Sequence, residues 1–256
     1  MKLRPLVLLF ALAPAPAFLA LPARADLPDP ATKNNVPPIA YVQGMIWKRL
    51  ELADFTLTGS IRSDKTKKRY PIILRTKGHE MVYEFQDQPL QIRVDLNPGV
   101  FTVQKRASAS APWGEVTPAD LTHSILDTDI TYTDLDIDFV NWDNIVPLGT
   151  DSIKTLDAYV FEAKPGPDDH SRFAAVRFWV SKQYWAFLRI DGLNDKEQTI
   201  KRVEVQNVME IDGKLGKYNV FKEMKVANMD PTRNDIPLST TFIDIDSGKE
   251  GSGLTQ

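Results

Sequence analysis

The spacing of apolar residues changes near residue 54 and divides the chain into a helical start and a long series of strands. Apolar residues from Ile39 to Ala53 recur at spacings of three and four after Pro38. This spacing predicts an amphipathic helix that begins near Ile39, with proline at its start. From Asp54 onward apolar and polar residues alternate, as expected for strands that bury one face.

The alternation continues through most of the remaining chain and predicts a sheet of about 10 to 11 strands. Short connections leave no room for parallel crossovers, so the neighbours are expected to be antiparallel. The alternating segments are residues 55–62, 70–78, 79–86, 90–96, 101–106, 157–164, 171–182, 184–193, 201–211, 218–227 and 239–246.

A helical interlude separates the two groups of strands. Thr117 and Pro118 resemble the start of a capped helix, and Thr133 repeats this pattern. The prediction is two short helices, at about residues 118–127 and 134–142. The pattern therefore indicates an α+β fold in which helices pack on a curved antiparallel sheet.

The two ends of the chain carry their own signals. Lys2 and Arg4 precede an apolar stretch that ends in Ala-Arg-Ala, which predicts a signal peptide over residues 1–25 with cleavage after Ala25. A proline-rich flexible leader is expected over 26–38, a single domain over 39–246 and a disordered tail over 247–256. The signal peptide predicts that the protein works outside the cytoplasm.

Composition narrows the possible functions. The chain contains no cysteine, so disulfides, thiolate chemistry and a lipid-modified cysteine are excluded. The formal net charge is −3, and removal of the signal peptide would make it more negative. This balance argues against a nucleic-acid partner, which normally requires a basic face.

The search for catalytic residues gives little. The three histidines, His79, His123 and His170, are far apart in sequence and form no zinc motif. The chain also lacks a nucleophile elbow, a P-loop and a dinucleotide fingerprint. We therefore expect no enzyme activity and no cofactor. A hydrolase that uses one of the histidines is the functional hypothesis that we favour least.

Alternating aspartates between residues 127 and 143 raise the possibility of a calcium site. In the register that begins at Asp134, Phe139 occupies the position that requires glycine, and Ile145 occupies the position of the bidentate glutamate. Helix caps and N-terminal turns explain Asp134 and Asp136 more simply, so no metal site is predicted.

Two strand segments, residues 173–180 and 185–190, are apolar on both faces. One face can pack under a helix, and the other needs a second apolar partner, either another layer of the protein or a ligand. Composition alone favours an ordinary core, since large aromatic residues usually fill cores.

The order of segments resembles the LolA/LolB-like family, especially the outer-membrane lipoprotein-sorting protein branch. The resemblance rests on FTLTGSIR after an amphipathic helix, Trp113-Gly114-Glu115-Val116, the segment from Ile125 to Leu135, AAVRFWVSKQYWAFLRID and the closing strands KRVEVQNV and STTFIDID. It implies a half-open β-barrel covered by a long N-terminal helix and short lid helices. Between sheet and lid it implies an apolar cavity for lipid.

The resemblance implies a soluble periplasmic carrier, acting as a monomer, for acyl chains of lipoproteins or other lipids. An inner-membrane donor and an outer-membrane acceptor would be its partners. The alternative is a protein-interaction or sensor module whose cavity is filled by side chains. The candidate cavity residues are Leu57, Ile72, Leu74, Tyr83, Phe85, Ile92, Val94, Phe178, Leu188 and Val205. The candidate lid residues are Leu121, Ile125, Leu135, Phe139 and Trp142.

Overall fold

The computed structural model describes residues 36–51, 54–97, 100–167, 171–214, 216–233 and 235–254. The predicted signal peptide, most of the predicted leader and His170 lie outside the described residues. No helix among the described residues has the length and apolar character needed to cross a membrane.

One α-helix, α1, covers Ile39–Glu51. The amides of Tyr41 and Val42 donate to the carbonyl of Pro38, so the helix begins where the sequence predicts. Val42, Ile46 and Leu50 are buried at intervals of four residues and form its core-facing stripe. With 13 residues the helix has about the average length in globular proteins, so the expectation of a long helix is not confirmed.

The sheet has 13 strands, two or three more than the alternation predicts. The additional strands include β6, which has two residues, and β7, whose residues are mostly exposed and therefore do not alternate clearly. The strands are β1 Asp54–Ser63, β2 Arg69–Lys77, β3 Glu80–Phe85, β4 Gln91–Asn97, β5 Val100–Arg106, β6 Gly114–Glu115, β7 Asn144–Ile153, β8 Leu156–Lys164, β9 Ala175–Ser181, β10 Phe187–Leu193, β11 Thr199–Gly213, β12 Gly216–Met229 and β13 Pro237–Glu250.

The sheet is antiparallel, curved and open. Its order is β6-β5-β4-β3-β2-β1-β13-β12-β11-β10-β9-β8-β7, so β6 and β7 are the two edges. All pairs join strands that are adjacent in sequence except β1 with β13. That one long-range pair joins the two halves of the chain into a single sheet.

The register places the apolar residues on one face. Leu57, Leu74, Tyr83 and Ile92 are successive cross-strand partners. In the other half, Phe161, Phe178, Ile190, Val203, Val226 and Thr241 form a similar row. We call this the covered face, because α1 and residues 116–142, the lid segment, pack against it within one apolar core.

The lid segment is not built from the two predicted helices. Residues 118–127 form turns, and the regular elements that follow are two short 3₁₀ helices, Tyr132–Leu135 and Asp138–Asn141. The amide of Asp138 donates to Asp136 Oδ1 at 2.7 Å, and the hydroxyl of Thr128 donates to the carbonyl of Ile125 at 2.7 Å. Such side-chain bonds to nearby backbone compete with helix formation, which explains the difference.

The end of the domain also differs from the sequence prediction. Residues 247–250, which were expected to belong to a disordered tail, continue β13, and Glu250 is paired with Phe55 of β1. The next residues are bonded to β1 as well, since Gly251 N–H donates to the carbonyl of Asp54 and Ser252 N–H to its carboxylate. Pairing with the central strand β1 therefore orders residues that look polar and unstructured in sequence.

Candidate functional site

The predicted cavity residues lie in the core between the sheet and its cover. Nine of the ten are at most 5% exposed, and Val205 is half-buried. Leu188 lies at the bulge of β10, whereas Phe178 belongs to the row of the covered face. In this structure the protein's own side chains fill the space that the sequence assigned to a ligand.

The lid segment supplies much of this filling. Ile125, Leu135 and Phe139 are buried, while Leu121 and Trp142 are half-buried and pack against the same core. The ring of Phe139 lies 5.3 Å from that of Phe178 and 5.7 Å from that of Phe187, between centroids. The ring of Phe139 thus fills the part of the covered face where the apolar chain of a ligand would pack.

The helix holds the far end of the lid segment. Gln43 Nε2 donates to the carbonyl of Val140 at 2.5 Å, and Trp47 Nε1 donates to Asn141 Oδ1 at 3.1 Å. Both acceptors follow Phe139 directly in sequence. The position of this ring therefore depends on α1 as well as on the sheet.

The near end of the lid segment is held by a buried polar cluster, which we call the lid latch. Lys201, on the covered face of β11, is 3% exposed, and its ammonium contacts Asp134 Oδ2 at 2.9 Å and donates to the carbonyl of Asp129. The carboxylate of Asp129 accepts from Asn228 Nδ2 at 2.8 Å and from the hydroxyl of Thr241 at 2.9 Å. The lid latch therefore joins two lid carboxylates to three strands of the sheet.

Asp134 also has partners outside the sheet. It accepts from the amide of Thr131 at 2.7 Å, as in a helix cap, and from Arg172 Nη2 at 2.6 Å. The cap bond that the sequence predicts for Asp134 is therefore present. The ion pairs of Asp134 with Lys201 and Arg172 could not be seen in the local sequence.

Burial changes the pKa of Lys201 in the lid latch and of Asp136 beside it. It lowers the pKa of Lys201, and the neighbouring carboxylate of Asp134 opposes this shift. It raises the pKa of Asp136 to about 7, with the charge of Asp138 adding to the rise. The carboxyl of Asp136 is therefore protonated at mildly acidic pH, where ordinary carboxylates are charged.

A cleft opens beside the lid latch and mixes charged with apolar side chains. Its free volume for water is about 60 Å³, well below the several hundred Å³ of typical small-molecule sites. A Cβ atom on Gly192 would lie 2.3 Å from the ring of Phe173, so only glycine admits this ring here. The cleft is lined by Asp134, Asp136, Phe139, Trp142, Arg172, Phe173 and Lys201, among others.

The sequence interpretation missed Lys201, although a signal for it exists. In KRVEVQNV, Lys201 has the same parity as Val203 and Val205, and therefore lies on the apolar side of the strand. A lysine at such a position needs a buried anionic partner. The aspartates between residues 127 and 143 provide that partner.

The two histidines that the structure describes each have a polar partner. His79 Nδ1 lies 2.7 Å from Asn97 Oδ1, and His123 Nδ1 lies 3.2 Å from Asp120. Within the part of the chain that the structure describes, no group of three or more histidine or acidic side chains is placed to hold a metal ion. The absence of enzyme activity remains a prediction.

Comparisons with known proteins agree with this architecture. A family model described as an uncharacterized protein matches residues 110–248, more than half of the chain. No curated protein matches the sequence significantly.

Several solved structures share the fold at 15% identity. They include a DUF1329 family protein from Desulfovibrio piger, with a TM-score of 0.65 over 86% of this chain and 96% of that one. A domain assigned as an outer membrane lipoprotein-sorting protein from Vibrio parahaemolyticus has a TM-score of 0.66 over 85% and 94%. A LolA superfamily protein from Nitrosomonas europaea has a TM-score of 0.56 over 84% and 94%. The predicted resemblance to the LolA-like fold is confirmed.

Proposed function

Because this chain belongs to the family of uncharacterized proteins whose model matches residues 110–248, and has the fold of the LolA superfamily, we propose that it is a lipid carrier. It binds acyl chains of lipoproteins or other lipids between the covered face and the lid segment. It catalyses no reaction and needs no cofactor.

The cover of the sheet is the observation that carries this proposal. A largely apolar face lies under one helix and a lid segment that consists of turns, one isolated β-bridge and two short 3₁₀ helices. Irregular segments of this kind open locally at lower cost than packed helices and strands. A lid that opens exposes apolar surface, and each methylene of an acyl chain buried there contributes about 0.8 kcal/mol.

Loading requires the lid segment to move, because the cleft is too small for an acyl chain. The bonds of Lys201 to the lid break, and Phe139 withdraws from Phe178 and Phe187. The acyl chain takes the place of the Phe139 ring. Arg172 and Asp134 line the cleft and meet the polar end of the ligand.

The proposed setting of the carrier is the periplasm. The protein is exported by the signal peptide over residues 1–25 and cleaved after Ala25. It acts as a monomer that receives lipid from an inner-membrane donor and delivers it to an outer-membrane acceptor. The fold shared with the Vibrio parahaemolyticus lipoprotein-sorting domain supports this setting.

Acyl loading tests the proposal. Purified protein is incubated with palmitate and with a triacylated lipopeptide, and bound lipid is measured by native mass spectrometry. The variant Phe139→Ala is measured in parallel, because it removes the ring that fills the site. We expect one acyl ligand per protein and faster loading of the variant. If neither folded protein takes up an acyl ligand, the carrier function is wrong.

The second candidate function is a protein-interaction or sensor module. The filled core favours it, since nine of the ten predicted cavity residues are at most 5% exposed in this structure. A module of this kind would bind a partner without opening. Affinity capture from the envelope fraction that returns one stoichiometric protein partner, together with no lipid uptake, would support it over the carrier.

A further inference from the structure

We propose that the end of the sheet that carries the lid latch is a docking surface for an anionic phospholipid membrane. This surface, the basic rim, consists of the β1–β2 turn at residues 64–68, Arg69, Ile236 directly before β13, and Leu238 at the start of β13. The proposal concerns where the protein meets a membrane and goes beyond the binding of an acyl chain.

The strand register places these segments side by side. Ser63 at the end of β1 is paired with Thr241 of β13, and the amide of Asp64 donates to the carbonyl of Thr240 at 2.9 Å. The β1–β2 turn therefore adjoins the first residues of β13. Lys201 and Asn228 are cross-strand partners at the same end, so the lid latch and the cleft lie beside the basic rim.

The basic rim carries positive charge that its neighbours do not neutralise. Lys65, Lys67 and Arg69 are exposed, and no described residue lies within ion-pair distance of them. Arg69 does line a groove that also contains Glu223, Asp244 and Asp246. The nearby carboxylate of Asp64 is taken by Arg62 at 3.1 Å, and that of Asp127 by Lys68.

A polar groove of about 500 Å³ lies next to these cations. Arg69, Asp87 and Asp127 are among its lining residues. Asp127 is already paired with Lys68, and Arg69 has Asp87 on this side and Asp244 and Asp246 in a second groove on its other side. The positive excess therefore lies on Lys65 and Lys67 at the tip of the β1–β2 turn, in a protein whose net charge is −3.

Exposed apolar side chains accompany this charge. Ile236 is 45% exposed and Leu238 is 63% exposed, the highest value among the large apolar residues of the described chain. Cations combined with exposed aliphatic residues are the composition of interfacial membrane anchors. An acidic protein surface would use the charges, but it would leave these aliphatic side chains without a matching partner.

The basic rim also touches the lid segment. The hydroxyl of Thr66 lies 3.4 Å from the carbonyl of Asp127, and Tyr70 donates to the Asp127 carboxylate at 3.3 Å. Lipid phosphates at the basic rim would compete with Asp127 for Lys68. Docking would then loosen the lid segment where the cleft faces the membrane.

Vesicle binding tests the proposal. Purified protein is sedimented with vesicles of phosphatidylcholine alone and with vesicles that contain 30% phosphatidylglycerol. Each basic residue close to an anionic surface strengthens partitioning by about fivefold. Lys65→Gln, Lys67→Gln and Arg69→Gln together should therefore weaken binding to anionic vesicles by about 25-fold or more, because the carboxylates beside Arg69 reduce its share. Leu238→Ser should weaken it by several-fold.

Two matched controls separate the basic rim from general surface effects. Lys154, Lys214 and Lys217 lie at the opposite end of the sheet, so their combined replacement by glutamine should leave vesicle binding unchanged. Leu148 on the edge strand β7 is 45% exposed, and Leu148→Ser controls for Leu238→Ser. Binding should also fall in 0.5 M salt, where exposed charges are screened within a few ångströms.

The outcomes decide between docking, acyl binding and other partners. Equal binding of wild-type protein to neutral and anionic vesicles, or unchanged binding by the rim triple variant, overturns the proposal. Binding to polyglutamate without binding to vesicles also overturns it and indicates an acidic protein partner. Palmitate uptake by the rim triple variant in free solution is expected to be normal, so docking and acyl binding can fail separately.

Discussion

Replacing Lys201 by methionine isolates the contribution of the lid latch. Methionine keeps an apolar stem of similar length and removes the ammonium that contacts Asp134 at 2.9 Å and donates to the Asp129 carbonyl. Removing one partner of a buried ion pair usually costs 3–5 kcal/mol. Asp134 keeps Arg172 at 2.6 Å and the amide of Thr131, so we expect a loss of about 3 kcal/mol, at the lower end of this range.

Urea unfolding measures this loss, and an exposed ion pair supplies the control. Lys217 lies 2.9 Å from Asp212, but the side chains are 53% and 88% exposed. Lys217→Met should therefore change the free energy of unfolding by less than about 0.5 kcal/mol. The double variant Asp134→Asn with Lys201→Met should lose less than the sum of its single variants, because the two side chains share one interaction.

Hydrogen exchange shows whether the lost stability is located in the lid segment. The amide of Asp129 donates to the Thr241 hydroxyl, and that of Thr131 donates to the Asp134 carboxylate. Both amides should exchange faster in Lys201→Met, while amides in the centre of β1 and β2 change only through global unfolding. A destabilisation below about 1 kcal/mol, or unchanged exchange at both amides, would refute the reasoning.

Three further predictions concern the same site. Burial raises the pKa of Asp136 from 3.8 to about 7, so the native protein binds this proton more tightly and wild-type stability should fall as pH rises from about 4 to 7. In urea unfolding at several pH values Asp136→Asn should reduce this slope, although Asp191, whose pKa burial also raises to about 7, keeps a slope of its own. The difference between wild type and variant should reach at most about 4 kcal/mol above pH 7, and identical slopes in the two proteins contradict the assignment. Phe139→Ala should cost about 3–4 kcal/mol and speed palmitate uptake, whereas Phe242→Ala, on the opposite face, should not speed uptake. Gly192→Ala should displace the ring of Phe173 and lower stability by about 1–3 kcal/mol in thermal unfolding, and an unchanged melting temperature would show that the ring adjusts freely.

Periodicity predicts the regular parts of this fold well, because burial on one face is a property of each element. Helix α1 begins at Ile39 as predicted, and the alternation in residues 70–78 corresponds to β2, where Tyr70, Ile72 and Leu74 are buried. β7 escapes prediction because it is an edge strand that contains Pro147, a bulge and mostly exposed residues. Without a buried face, a strand leaves no alternation in the sequence.

The site is harder to predict, because its contacts join residues that are distant in sequence. Asp129 is 112 residues away from Thr241, and Lys201 is 72 residues away from Asp129. A local reading assigns Asp134 to a helix cap, and the cap bond of Asp134 to the amide of Thr131 exists. Only the fold shows that the same carboxylate also pairs with Lys201.

The two edge strands give the lid segment an unusual attachment. The segment leaves the sheet at β6 and returns to it at β7, the opposite edges of the open curve. The lid segment therefore connects the two edges of the open sheet. Binding of a ligand between the sheet and the lid segment would move these edges relative to each other, so the distance between β6 and β7 would report filling of the site. Fluorophores on single cysteines at Glu115 and Asn144 could read that distance directly, because the chain has no cysteine of its own.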